Sequence, residues 1–241
     1  MNFTNIQQIF TIEGFISFST LFLLELVLGI DNIVFISIIA EKLPKQKQNK
    51  ARIIGLWLAL IFRIMLLFLI TLIIGLNQNL FSIGDINFSG RDLILLFGGL
   101  FLMAKSTTEI HTKIEGEEKK AEYDKKKNIF TLVVLQIIIL DLVFSFDSIL
   151  TAIGLVQNIA IMIIAVIASI IFMMLFSKVV SEFVNNHPTV KILALAFLLM
   201  IGVLLVVEAF DVHIPKGYVY FAMAFSLFVE MLNLKMRKRI D

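Results

Sequence analysis

Four carboxylates stand in apolar runs where a carboxylate is costly. The stretch ELVLGIDNIVF, residues 25 to 35, sets Glu25 and Asp31 six apart, and DLVFSFDSILT, residues 141 to 151, repeats the spacing with Asp141 and Asp147. Asn32 follows the second acid of the first motif and Ser148 that of the second, so each motif pairs a carboxylate with a neutral oxygen. Buried carboxylates either hold cations or take up protons as burial raises their pKa. Hard oxygen donors of this kind suit Mn²⁺, Mg²⁺ or Ca²⁺, and oxygen chemistry alone does not choose among the three. With no cysteine and no clustered histidines, a dedicated Zn²⁺ site is disfavoured.

At the centre of a membrane helix each carboxylate costs about 2.5 to 3.5 kcal/mol on insertion scales, or roughly 10 to 14 kcal/mol for four. Arg63, the basic residue deep in an apolar run, is the obvious partner for Glu25 or Asp141. One arginine cannot neutralise four acids, which leaves a bound cation or protons for the rest. Six residues along an ideal helix turn about 600°, leaving the two acids of a motif roughly 120° apart. Either one acid of each pair lines a wide cavity at another depth, or the helix is interrupted near Gly29 and Ser145 and frees backbone carbonyls as cation ligands.

The elements that must position these groups are membrane helices. With 59% hydrophobic and 17% charged residues over 241 positions, the chain is too apolar for a soluble domain. Seven windows are long and apolar enough to cross a bilayer: 14–39, 52–76, 91–110, 129–154, 159–181, 189–209 and 217–235. The expected fold class is an all-α membrane protein, a single transmembrane domain over 1–241 with no removable signal peptide. Ser89 with Asp92 reads as a capping box opening the third helix, and Pro188 as a first-turn proline of the sixth.

Basic residues set the orientation. Eighteen of the 21 fall in the loops at 40–52, 105–128 and 178–191 and in the tail, against Arg91 and Lys216 in the alternate loops and Arg63 within a span. The N-terminus is therefore expected outside and the C-terminus in the cytoplasm. The charged segment 111–128 reads as a solvated cytoplasmic linker between two three-helix halves, 14–110 and 129–209, with 217–235 as a seventh helix. The motifs are 116 residues apart on the first and fourth helices, and a displacement of three helices reverses direction across the membrane. That describes an inverted 3+3 repeat plus one helix, a construction of many secondary transporters. Glu25 matches Asp141, Asp31 matches Asp147 and Asn32 matches Ser148, and Asp31 and Asp147 are expected to meet near mid-membrane.

Other polar residues carry less. Glu230 and Asn233 share a helical face, with Glu230 expected to pair with the basic tail. Glu208, Asp211 and His213 read as interfacial groups, with an exit site as the alternative, and Glu109 and His111 hold the mirror position on the cytoplasmic side. Trp57 reads as an interfacial anchor. The chain has no Walker motif, nucleotide-binding glycine pattern or Ser-His-Asp triad at a credible position, so neither ATP-driven transport nor an enzyme is supported. No permanently bound cofactor and no nucleic-acid partner are expected.

The stretches ELVLGIDNIVFISIIAEKLP, SGRDLILLFGGLFLMAKSTTEIH, LDLVFSFDSILTAIGLV, PTVKILALAFLLMIGVLLVVEAF and HIPKGYVYFAMAFSLFVEMLN closely resemble the TerC family of integral membrane proteins, named for tellurium resistance. The resemblance covers nearly the whole chain. It implies kinship with small exporters that include the lysine exporters, and several family members are implicated in Mn²⁺ efflux or in supplying metal to exported proteins. It marks Asp31, Asp141, Asp147 and Glu25 as metal-pathway residues. It also implies a bacterial cytoplasmic membrane location, with homo-oligomers or the protein export machinery as possible partners. The expected function is proton-exchanging export of a divalent cation, foremost Mn²⁺. The alternative is a membrane scaffold supporting metal supply or tellurite resistance without transporting by itself.

Overall fold

A computed structural model describes residues 11–69, 79–84, 86–115, 129–156, 158–212 and 214–237. They form seven long helices and one short hairpin in the order α1 (Ile12–Ala40), α2 (Lys45–Phe68), β1 (Asn79–Ile83), β2 (Ile86–Ser89), α3 (Gly90–Ile114), α4 (Ile129–Leu155), α5 (Ile159–Asn186), α6 (Pro188–Glu208) and α7 (Lys216–Arg237). All seven helices are long and apolar enough to span a membrane. The fold is all-α and multi-pass.

Helix starts follow local chemistry. Thr11 caps α1, accepting from the Gly14 N–H at 3.1 Å. At α3 the capping box is complete: the Asp92 N–H donates to Ser89 Oγ at 3.3 Å, and the Ser89 N–H donates to Asp92 Oδ2 at 2.8 Å. Asn158 caps α5 by accepting from Ala160 N–H at 3.0 Å, and Pro188 opens α6. Helix α2 begins seven residues before the apolar window because Pro44 supplies its N-cap position. Lys45, Lys47, Lys50 and Arg52 are thus helical rather than part of a loop; residues 70–76 of that window lie outside the described residues, as do 116–128 of the charged linker.

The hairpin has no counterpart in the sequence-based expectation. Antiparallel strands pair Ile83 with Ile86 across a two-residue loop, whose first residue, Gly84, has φ +62°, a left-handed conformation that favours glycine.

The helices fall into two compact units that cut across the two three-helix halves. In one, α1, α2, α4 and most of α5 pack together. Gly55 of α2 lies against Ile137 of α4, where an added Cβ would approach Ile137 Cγ2 to 2.6 Å. In the other unit, the hairpin, α3, α6 and α7 pack together. Here α3 and α6 run antiparallel and cross at Gly99 and Gly202, and a Cβ on Gly99 would stand 2.6 Å from the Gly202 carbonyl oxygen. Phe88 stacks on Phe81 and meets Phe210 edge-on. Outward faces are apolar, with Phe15, Leu23, Leu132, Leu175, Phe221 and Phe228 all exposed, as helices bathed in lipid require.

Candidate intramembrane charged site

Three helices of the first unit place their charges at one point. Glu25 on α1, Arg63 on α2 and Asp141 on α4 are 2%, 2% and 4% exposed. Arg63 Nη2 donates to Asp141 Oδ1 at 2.9 Å and Nε to Asp141 Oδ2 at 3.2 Å, while Nη1 donates to Glu25 Oε2. One guanidinium therefore serves two carboxylates, and with all three ionised the cluster keeps a net negative charge. Ser145, one turn along α4, donates to Asp141 Oδ2 at 2.9 Å and fixes the carboxylate from a third side. By motif, Glu25 and Asp141 are equivalent positions, so the arginine sits between matching acids of the two motifs.

Asp141 also borders a small cavity with Asn32, Phe35, Ile137 and Phe144. Asn32 is 4% exposed, and neither its amide nitrogen nor its oxygen has a hydrogen-bond partner among the described residues. A buried amide without partners costs about 1 to 3 kcal/mol, and such a group in a native fold needs a reason. Ser148, its motif equivalent, is satisfied, donating to the Ser145 carbonyl at 3.3 Å. Glu25, Gly29 and Asn32 fall on one stripe of α1, at helical spacings of four and three.

The motif helices are continuous. Backbone at Gly29 and Ser145 stays helical, so interruption with freed carbonyls is corrected. Gly29 has a different role: the thioether sulfur of Met173 on α5 packs against it too closely to leave room for a Cβ at position 29. The side chains of Asp31 and Asp147 lie outside the described residues, although both positions are helical. Among the described residues no group of three or more His, Cys, Asp or Glu side chains is arranged to hold a metal.

Other expectations acquire partners. Glu208 is buried and pairs with Arg91, so it is not merely an interfacial polar group. Lys105 pairs with Glu109 at 2.8 Å, and His111 Nε2 lies 3.1 Å from Glu115. Glu230 accepts from the Thr189 hydroxyl on α6, with Asn233 Nδ2 at 3.5 Å; residues 238–241 of the basic tail lie outside the described residues. His213 lies outside the described residues. Arg52 of α2 donates to Ser181 of α5. The Ser145 contact has a sequence signal in its i+4 spacing from Asp141; the Arg52, Arg91 and Met173 contacts have none, since each joins helices distant in the chain.

Seven helices long and apolar enough to cross a bilayer, three of which share a buried ion-pair cluster, define an integral, multi-pass membrane protein. A family model described as Integral membrane protein TerC family matches residues 10–240. The chain belongs to that family. It is 48% identical over 226 residues to a UPF0053 protein of Haemophilus influenzae, covering 94% of this chain and 95% of that one. UPF0053 inner membrane protein YoaE of Escherichia coli strain K12 is 51% identical over 214 residues, and UPF0053 protein YegH of the same strain is 49% identical over 214. For each of these two the match covers 89% of this chain but 41% of the relative. The chain thus spans well under half the length of these relatives. No solved structure matches.

Proposed function

We propose that the chain is a proton-coupled exporter of a divalent cation, foremost Mn²⁺, working in the bacterial inner membrane where the relative YoaE is named as residing. The observation that carries this reading is the unpartnered Asn32 amide beside Asp141, whose own carboxylate shares one arginine with Glu25. Donors without partners next to excess negative charge are what a mobile cation needs and what a purely structural ion pair does not. Asp31 and Asp147, with Asn32 and Ser148, complete the expected donor set. Arg63 acts as the resident counter-ion, holding Glu25 and Asp141 when no cation is present.

Moving two positive charges outward against an inside-negative potential costs about 4.6 kcal/mol at 100 mV, so export needs a coupled gradient. Carboxylates that exchange the cation for protons provide one. With the N-terminus outside, as the positive-inside count is read, export would carry the cation toward the side of the N-terminus.

The purified protein in sealed vesicles, with a metal-sensitive dye inside, tests the reading. Mn²⁺ flux accompanied by opposite proton movement supports it. Flux only when further membrane proteins are added supports the scaffold reading instead.

A further inference from the structure

We infer that Met173 is a selectivity residue, its thioether offering a soft donor that favours transition-metal cations over Mg²⁺ and Ca²⁺; this rests on the cation-transport reading above. Oxygen donors alone do not separate these ions. The sulfur does, because thioether is a poor ligand for hard Mg²⁺ and Ca²⁺ and a better one for softer divalent ions.

The placement is specific. Met173 is 2% exposed and its sulfur fills the space over Gly29 that any larger residue would occupy. Gly29 lies one turn beyond Glu25 and three residues before Asn32 on the same stripe of α1, so along the helix axis the sulfur's point of contact falls between the position of an arginine-bound carboxylate and that of an unpartnered buried amide. A rise of about 1.5 Å per residue puts each of those positions roughly 4.5 to 6 Å away along the axis. Methionine turns about three side-chain bonds, so the sulfur can swing toward a cation at that level without backbone movement. A glycine at position 29 makes this possible, since any Cβ would displace the sulfur.

The chain has no cysteine, so any metal–sulfur contact comes from methionine. The test uses the full purified chain and Cd²⁺ as a soft probe of the same charge. X-ray absorption should show sulfur in the Cd²⁺ shell of the wild type and lose it in Met173→Leu, a substitution close in volume. In vesicles, Met173→Leu should weaken Mn²⁺ flux and let excess Ca²⁺ inhibit what remains at least about tenfold more strongly than in the wild type, the order expected for loss of one metal-tuning group. An oxygen-only Cd²⁺ shell, or a sulfur shell that survives in Met173→Leu, overturns the donor role while leaving transport intact. Absence of both Cd²⁺ binding and Mn²⁺ flux in the wild type overturns the donor and the transport reading together.

Discussion

Both oxygens of Asp141 face a single guanidinium, with Arg63 Nη2 2.9 Å from Oδ1 and Nε 3.2 Å from Oδ2. The fork leaves Nη1 for Glu25, so the two acids are held unequally: Asp141 by two arginine nitrogens and Ser145, Glu25 by one. Planar, two-pronged recognition of this kind is available to arginine and not to lysine. If either acid releases the arginine during transport, Glu25 has fewer bonds to break.

Arg63→Ala should lower thermal stability in detergent by an amount equivalent to about 3 to 5 kcal/mol, because two buried carboxylates lose their counter-charge. Arg63→Lys should recover only part of it. Adding Glu25→Gln and Asp141→Asn to the alanine variant should restore much of the melting temperature, since uncompensated charge rather than packing is the cause. An unchanged melting temperature for Arg63→Ala alone would refute the pairing as a stabilising element.

Asp31→Asn and Asp147→Asn should each abolish metal export while leaving inserted, folded protein. Asparagine keeps the shape and one oxygen but removes the charge, and a neutral group is cheaper in a bilayer than a carboxylate. Intracellular manganese after a Mn²⁺ challenge, normalised to membrane-embedded protein, is the readout. Wild-type efflux per molecule in both variants would sink the transport mechanism.

Gly99→Ala should destabilise the α3–α6 pair by about 1 to 3 kcal/mol, the usual cost of overpacking. The new Cβ would meet the Gly202 carbonyl oxygen at 2.6 Å and Val206 Cγ2 at 2.8 Å, and a helix carbonyl cannot step aside as a flexible side-chain end can. Gly154→Ala is the matched control, because a Cβ there meets nothing within 4 Å. Its melting temperature should stay level or rise slightly. Equal losses in the two variants would show that the close crossing does not govern the effect, since helix propensity favours alanine over glycine at both positions.

Arg91 and Glu208 tie the start of α3 to the end of α6. Arg91→Ala and Glu208→Ala should each lower stability, and a double-mutant cycle should return a coupling of about 0.5 to 3 kcal/mol. Additive losses would show that the pair carries no coupling energy.

The amino-acid sequence by itself determined the solvent, the class and most of the helices. Long apolar windows have one stable answer in a bilayer, where every backbone N–H and C=O must be bonded within its own segment. The Ser89–Asp92 box and Pro188 marked helix starts because capping is decided within four residues. The β1–β2 hairpin was also written locally, in the Gly-Asp pair at 84 and 85 between short apolar runs, but it was overshadowed by the stronger helical signal on either side. The four acids stood out because each is expensive where it lies.

Tertiary structure alone decided who meets whom. The sequence offered Glu25 or Asp141 to Arg63, and packing of α1 and α4 against α2 delivered both. It offered a broken helix at Gly29, and packing of α5 showed instead an unbroken helix with Met173 in the glycine's space. The paired partners Arg91 and Glu208 are 117 residues apart, and Arg52 and Ser181 are 129 apart. Periodicity and capping report only on neighbours three or four positions away, whereas a contact across helices depends on which faces the whole chain brings together, so no local reading could have placed these pairs.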